Sequence, residues 1–265
     1  MKTRRASLWL GPVFAVLTLG ATAAPERDRG LIIETQTAEE IAGSFVHGSS
    51  LVSFVSRRAG PDRVVLRVDA NALTFDASVD VSGKVARMDG HNGIMLAEDR
   101  AALAALFESL RPLGAGSVDA RAHEVFLYRW IAYWAEAPVG TTLAAREVRP
   151  PRVSFESSRP GGVNACQVAD DNGIRYFNCN RSPQVECHDA GHCFTCASRA
   201  AGRNSNDCAG ECGPGCNGLN IYTWDCLDHD YCCRIHGGCW NPWDGECGDE
   251  WWDADDDFIW GWPNC

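Results

Sequence analysis

The stretch CLDHDYCC, residues 226–233, decides how the last part of the chain folds, because three of its eight residues are cysteines. It lies within the segment NIYTWDCLDHDYCCRIHGG, which lacks proline and ends at two glycines, so we predict a helix here. Cys226 precedes His229 by three residues, and Cys232 follows it by three. Disulfides at both cysteines would therefore anchor the helical turns on either side of the imidazole.

The adjacent pair His229 and Asp230 is the candidate for chemistry in this helix. Neighbouring residues on a helix point about 100° apart, so the two side chains can face different groups, such as a water molecule and a metal ion. Disulfide anchors would hold the imidazole still, as catalysis requires. The alternative is that His229 is an ordinary exposed residue of a structural protein.

The cysteines indicate an exported protein. All fourteen lie from Cys166 onward, and an even number in an oxidising compartment predicts a disulfide framework. The alternative is a zinc site, because the segment HDAGHCFTC, residues 188–196, has ligand-like spacing. The chain also begins with basic residues, an apolar run over 8–19 and small residues at 21–23, which predicts a secretory signal peptide at 1–23.

The composition changes along the chain and predicts an α+β fold with several parts. Segments rich in β-branched residues are followed by two helical patterns, which indicates a small α+β domain. The first pattern has an apolar face at residues 103, 106, 107 and 110 and is stopped by Pro112, and the second ends near Pro138. The predicted parts after the signal peptide are an N-terminal accessory domain or propeptide at 24–147, a linker at 148–165, a cysteine-rich lobe at 166–207 and a disulfide-rich, mainly helical domain at 208–265.

The C-terminal region is strongly acidic. From Asp207 to Cys265 there are thirteen acidic residues and one basic residue, Arg234, whereas the whole chain has a net charge of −11. Such a segment would repel nucleic acid and anionic lipid, so we expect no nucleic-acid partner. It would attract a hard cation such as calcium, although most of these carboxylates are expected to be solvated.

The segment CAGECGPGCNG, residues 208–218, precedes the predicted helix. Its glycines let the backbone turn sharply and direct carbonyl oxygens inward. Backbone carbonyls with one or two carboxylates make a calcium site, and the alternative is a turn that only links disulfides.

The pattern C-x-x-H-D-x-C at 226–232 resembles the active-site helix of the secreted phospholipase A2 superfamily, and C-G-P-G at 212–215 resembles the calcium loop of that family. The resemblance covers residues 208–258 and none of the first 165 residues. It implies a phospholipase A2-like catalytic domain at 208–265, in which His229 is the general base and Asp230 binds calcium. Backbone carbonyls near Glu211, Gly213 and Gly215 would complete the ion's shell.

The family also has a second aspartate that orients the imidazole. In the segment ECGDEWWDADDDFIW, residues 247, 251, 254 and 258 recur at helical spacing, which predicts a helix with one buried face. We predict Asp253, which flanks that face, for the orienting role, with Asp249 and Asp255 as alternatives. The resemblance further implies that Cys212 pairs with Cys226. Cys232 and Cys233 are also disulfide candidates. The chain departs from the family pattern because that cysteine pair follows the histidine, and because Cys216 lies inside the loop.

Seven of the ten tryptophans lie between Trp224 and Trp262. Exposed tryptophans would favour a lipid–water interface, whereas buried ones would form the core of a small disulfide domain. The acidic charge favours zwitterionic over anionic lipid. Together these features predict a secreted, calcium-dependent hydrolase that cleaves the sn-2 ester of phospholipids. The alternative is a non-catalytic, disulfide-rich binding or toxin-like module with the same scaffold.

Overall fold

The computed structural model describes residues 30–114, 122–150, 153–155, 163–164, 173–179, 184–186, 199–203, 205, 207–216, 218–236 and 250–265. The predicted signal peptide, most of the predicted cysteine-rich lobe, the zinc alternative and Asp249 lie outside these residues.

A seven-stranded antiparallel sheet forms the N-terminal part, with strand order β1-β2-β3-β4-β5-β6-β9. Along its strands buried apolar residues alternate with more exposed ones, because successive side chains point to opposite faces. The strands of this sheet are β1 (Leu31–Gln36), β2 (Glu40–His47), β3 (Ser50–Gly60), β4 (Arg63–Ala70), β5 (Leu73–Asp80), β6 (Val85–Asp89) and β9 (Arg146–Val148). A two-stranded antiparallel sheet is formed by β7 (Gly93–Ile94) and β8 (Thr142–Leu143).

Two helices pack against each other and against the buried face of the large sheet: α1 (Ala97–Gly114) and α2 (His123–Glu136). The predicted apolar face of α1 is confirmed, since Leu103, Leu106, Phe107 and Leu110 are all buried. The prediction that Pro112 stops this helix is wrong by two residues, because α1 continues to Gly114. A proline in the last turn removes little of the helical hydrogen bonding, so the turn can close around it.

The described residues of the C-terminal part form short strands and three helices, α3 (Trp224–His236), α4 (Glu250–Asp253) and α5 (Asp255–Trp260). The short strands are β10 (Ser154–Phe155), β11 (Val163–Asn164), β12 (Arg175–Tyr176), β13 (Gln184–Glu186) and β14 (Arg199–Ala200). Strand β10 lies within the predicted linker and pairs with β12. The fold is therefore mixed α+β, and none of the described helices is long and apolar enough to cross a membrane.

The larger of two hydrophobic clusters among the described residues contains residues from both parts of the chain, and the smaller one lies within the C-terminal part. Tyr133 of α2 packs against Trp251 and Phe258, with ring centroids 4.8 Å and 5.6 Å apart. The Arg146 guanidinium forms a 2.6 Å ion pair with Asp255. The division of the chain at residues 147 and 148 stays a prediction, but the described residues on its two sides are closely packed.

The described tryptophans of the C-terminal part are mostly core residues. Trp224 and Trp251 are fully buried, Trp252 and Trp260 are partly buried, and Trp262 is exposed over 45% of its surface. Core packing therefore accounts for most of the described aromatic side chains, and Trp262 is the one that presents a large apolar surface to solvent.

Candidate functional site

Helix α3 forms as predicted and begins after Thr223. The Thr223 hydroxyl accepts a 3.3 Å hydrogen bond from the backbone N–H of Cys226, which is the interaction of a helix N-cap residue. The Thr223 carbonyl accepts the N–H of Leu227 and starts the helical ladder. This start places His229 in the middle of the helix and Asp230 on the side that faces the preceding loop.

Disulfides join that loop to the helix and to itself. Cys212 pairs with Cys226, as the resemblance implies, and Cys208 pairs with Cys216. Cys232 and Cys233 are disulfide-bonded as well. A third described bond, between Cys179 and Cys265, joins the segment that follows strand β12 to Cys265. Cys216 therefore closes the glycine loop rather than obstructing it.

The loop backbone has the conformation expected of its glycines. Gly213 and Gly215 have φ values of 104° and 64°, which few other residues adopt readily. The buried Glu211 carboxylate accepts hydrogen bonds from the N–H groups of Gly218 (3.0 Å) and Asn220 (2.9 Å), and from the Tyr222 hydroxyl (3.2 Å). Glu211 thus stabilises the loop with its side chain, which leaves its backbone carbonyl as the atom that could face an ion.

Asp230 contacts this loop directly. Its Oδ2 accepts a 2.7 Å hydrogen bond from the N–H of Gly210. Burial raises the pKa of the Asp230 carboxyl well above its usual range, and the Gly210 N–H opposes that shift. Asp230 therefore lies next to the loop, as the resemblance implies. Its Oδ2 contacts a hydrogen-bond donor, the Gly210 N–H, so Oδ1 is the oxygen that could bind a cation.

His229 is a buried, neutral imidazole, exposed over 5% of its surface. Burial and, to a smaller extent, the positive charge of Arg100 together lower its pKa to about 4. Its Nε2 lies 3.5 Å from Sγ of Cys233. The ring is therefore uncharged at neutral pH, as a general base must be, but its low pKa makes it a weaker base than a free histidine.

Charged residues of the N-terminal part border the pair. Arg100 belongs to α1, and Glu136 lies at the end of α2, where its negative charge raises the pKa of Asp230. A hydrogen bond of 3.1 Å from Arg111 to the Cys216 carbonyl connects α1 with the glycine loop. The N-terminal part is thus a wall of the candidate site, which the sequence did not predict.

The predicted orienting aspartate is not found among the described residues, since none of their carboxylates hydrogen-bonds to His229. Asp253 is exposed, whereas the imidazole is buried. Asp255 is buried, but its carboxylate binds Arg146. Asp249 lies outside the described residues, so its assignment stays a prediction.

Two acidic residues that the sequence suggested were solvated are instead buried. Asp257 is completely buried, and Asp256 nearly so. Their neighbours Trp251, Ala254 and Phe258 form the buried face that the helical spacing predicted. The signal for Asp257 was its position three residues after Ala254, which places it on the same face.

No protein-family model, curated protein or solved structure significantly matches the chain.

Proposed function

We propose that the chain is a secreted, calcium-dependent hydrolase of the phospholipase A2 kind, acting on the sn-2 ester of phospholipids, with 208–265 as a disulfide-rich, mainly helical catalytic domain. The observation that carries the proposal is the link between helix and loop. His229 and Asp230 lie on α3, the Cys212–Cys226 disulfide fixes that helix to the glycine loop, and the Asp230 carboxylate is bonded to the loop backbone.

In the proposed reaction the neutral His229 takes a proton from a water molecule that attacks the ester carbonyl carbon. The collapse of the resulting tetrahedral species releases a fatty acid and a lysophospholipid, and the proton on His229 goes to the leaving alkoxide. The disulfide anchor at Cys226 and the buried surroundings of the imidazole hold its ring in one orientation.

The donor atoms available around Asp230 are of the type that calcium prefers. Asp230 would supply a carboxylate oxygen, and the loop would supply backbone carbonyls near Glu211, Gly213 and Gly215. The positive φ values of Gly213 and Gly215 support a sharply turning backbone there. Calcium bound there would neutralise the substrate phosphate and the developing oxyanion. Three disulfides among the described residues, and no free cysteine there, support an oxidising, extracellular setting.

A second candidate function is a non-catalytic binding module on the same scaffold. The burial of His229, its pKa of about 4 and the lack of a carboxylate partner among the described residues favour it. A lipid substrate would reach the imidazole only after the surrounding side chains move. Under this alternative the protein would bind zwitterionic lipid, for example through the exposed Trp262, and release no product.

The deciding experiment measures fatty-acid release from phosphatidylcholine vesicles by the mature chain, with calcium or with chelator. We expect calcium-dependent release that falls at least a hundredfold in His229→Gln and in Asp230→Asn. Matched controls are His47→Gln, at an exposed strand end, and Asp62→Asn, in the turn after β3; both should keep the wild-type rate. Fatty-acid release that continues in chelator, or that His229→Gln retains, would contradict this proposal. Binding to vesicles without fatty-acid release would support the alternative.

A further inference from the structure

Three buried carboxyl groups converge beneath the candidate site. Asp225 comes from the first turn of α3, and Asp256 and Asp257 come from the first turn of α5. One oxygen from each lies within 4.8 Å of the others. The residues are exposed over 3%, 9% and 0% of their surfaces, respectively, so water screens their charges poorly.

Ionised carboxylates this close together repel one another strongly in a poorly solvated place, so their charge has to be balanced. Arg146 forms an ion pair with α5, but its partner is Asp255 and not a member of the cluster. The guanidinium of Arg129 also reaches α5, where it contacts the backbone carbonyl of Ile259. Burial, and then the charge of Asp255, raise the pKa of Asp256 to about 7. Balance must therefore come from protons or from a cation.

Asp257 provides a second observation, independent of the proximity of the three groups. Its side chain is completely buried and directed into the cluster, yet neither of its oxygens accepts a hydrogen bond of ordinary geometry from the described residues. Burial raises the pKa of Asp257, and polar interactions with the Thr223 hydroxyl and the Asp225 carboxyl oppose that shift, but neither contact has the geometry of an ordinary hydrogen bond. A buried carboxylate normally has hydrogen-bond partners or a metal ion, so this one indicates a missing ligand.

The donor atoms determine the class of ligand. Cys212 and Cys226 also lie near Asp257, but their sulfurs are joined in a disulfide and cannot act as thiolate ligands. The remaining donors are carboxylate oxygens and the Thr223 hydroxyl, which suit a hard divalent cation rather than zinc or copper.

We propose that Asp225, Asp256 and Asp257 form a structural binding site for calcium that is separate from the site expected at Asp230. The bound ion would join the start of α3 to the start of α5. It would thereby brace the helical turn that carries the Cys212–Cys226 disulfide, one turn before His229. This inference does not depend on the proposed hydrolase activity.

The test uses the Asp230→Asn variant of the mature chain, in which the other expected calcium site is disabled. Equilibrium dialysis at neutral pH should find one calcium ion bound per chain, and calcium should raise the unfolding temperature above its value in chelator. No bound ion and no calcium-dependent shift in this variant would overturn the proposal, and a cluster balanced by protons alone predicts that result.

The site is assigned by adding Asp256→Asn or Asp257→Asn to the Asp230→Asn background. Each double variant should lose the bound ion and the calcium-dependent shift. In chelator each should unfold at a higher temperature than Asp230→Asn alone, because one buried negative charge has been removed. The matched control, Asp62→Asn in the same background, should retain one ion. If both double variants bind calcium as Asp230→Asn does, the ion lies elsewhere and the assignment is wrong. Two double variants are used so that the test still works if one of them fails to fold.

Discussion

The Asp230 carboxylate accepts a 2.7 Å hydrogen bond from the backbone N–H of Gly210, which connects the centre of helix α3 to the start of the glycine loop. Gly210 has a φ of 91°, and a Cβ atom there would lie 2.5 Å from the Phe177 ring. The contact therefore requires both a glycine in the loop and an acceptor on the helix. It makes Asp230 a structural residue as well as a candidate metal ligand, and the two roles can be separated.

Asp230→Ala removes the acceptor and leaves a buried N–H without its partner, so we expect a loss of about 1–3 kcal/mol in the free energy of unfolding. Asp230→Asn keeps an acceptor oxygen and should lose less than half as much, although both variants lose the charge. Urea unfolding in chelator measures the difference. Equal stability of the two variants would show that the Gly210 hydrogen bond contributes nothing.

The Cys212–Cys226 disulfide closes a loop of fourteen residues between the predicted calcium loop and the helix. Replacing both cysteines with serine should lower the free energy of unfolding by about 3 kcal/mol, because the unfolded chain gains conformational entropy. Urea unfolding at constant pH checks this value. The paired variant Cys208→Ser with Cys216→Ser is the control for a shorter cross-link, and it should leave the position of α3 unchanged, as judged by near-ultraviolet circular dichroism.

Local patterns predicted the helix at Trp224–His236, the apolar face of α1 and the buried face of Trp251, Ala254 and Phe258. These features follow from spacing along a single segment. The wall that Arg100 and Glu136 form beside His229 depends on packing between segments more than ninety residues apart, which spacing does not encode. The burial of Asp257 was missed for a related reason: in a run of aspartates, composition indicates solvent, and only the tertiary contacts decide which carboxylates are enclosed.

The pKa of His229 predicts how stability and activity depend on pH. A pKa of about 4 in the folded state is below the ordinary value of 6.5, so the unfolded state binds the proton more readily between these pH values. The stability contributed by the neutral imidazole is full above pH 6.5 and is lost as the pH falls toward 4, by up to about 3 kcal/mol. Hydrolysis should likewise decline near pH 4 rather than near pH 6.5.

Urea unfolding in chelator from pH 4 to pH 7, for wild type and His229→Gln, measures this effect. The difference in stability between the two proteins should shrink as the pH falls, and His47→Gln should show no such trend. A resonance assigned to the His229 imidazole that titrates near pH 6.5 in the folded protein would contradict its buried, neutral state.

The Arg146–Asp255 ion pair tests whether the two parts of the chain depend on each other. Its 2.6 Å contact joins β9 to α5, and the Arg146 guanidinium also lies 4.0 Å from the centroid of the Trp252 ring. Arg146→Gln removes the partner of a buried carboxylate, so we expect a loss of about 2–4 kcal/mol, somewhat reduced because the arginine is partly exposed. Adding Asp255→Asn should restore at least half of that loss, since residue 255 then carries no charge that needs a partner. Thermal unfolding of the single and double variants measures the coupling.

Arg87→Gln, which breaks the exposed pair with Glu147 on the same sheet, is the control and should cost less than about 1 kcal/mol. Equal effects of Arg146→Gln and Arg87→Gln would mean that the contact between the N-terminal sheet and α5 does not stabilise the fold.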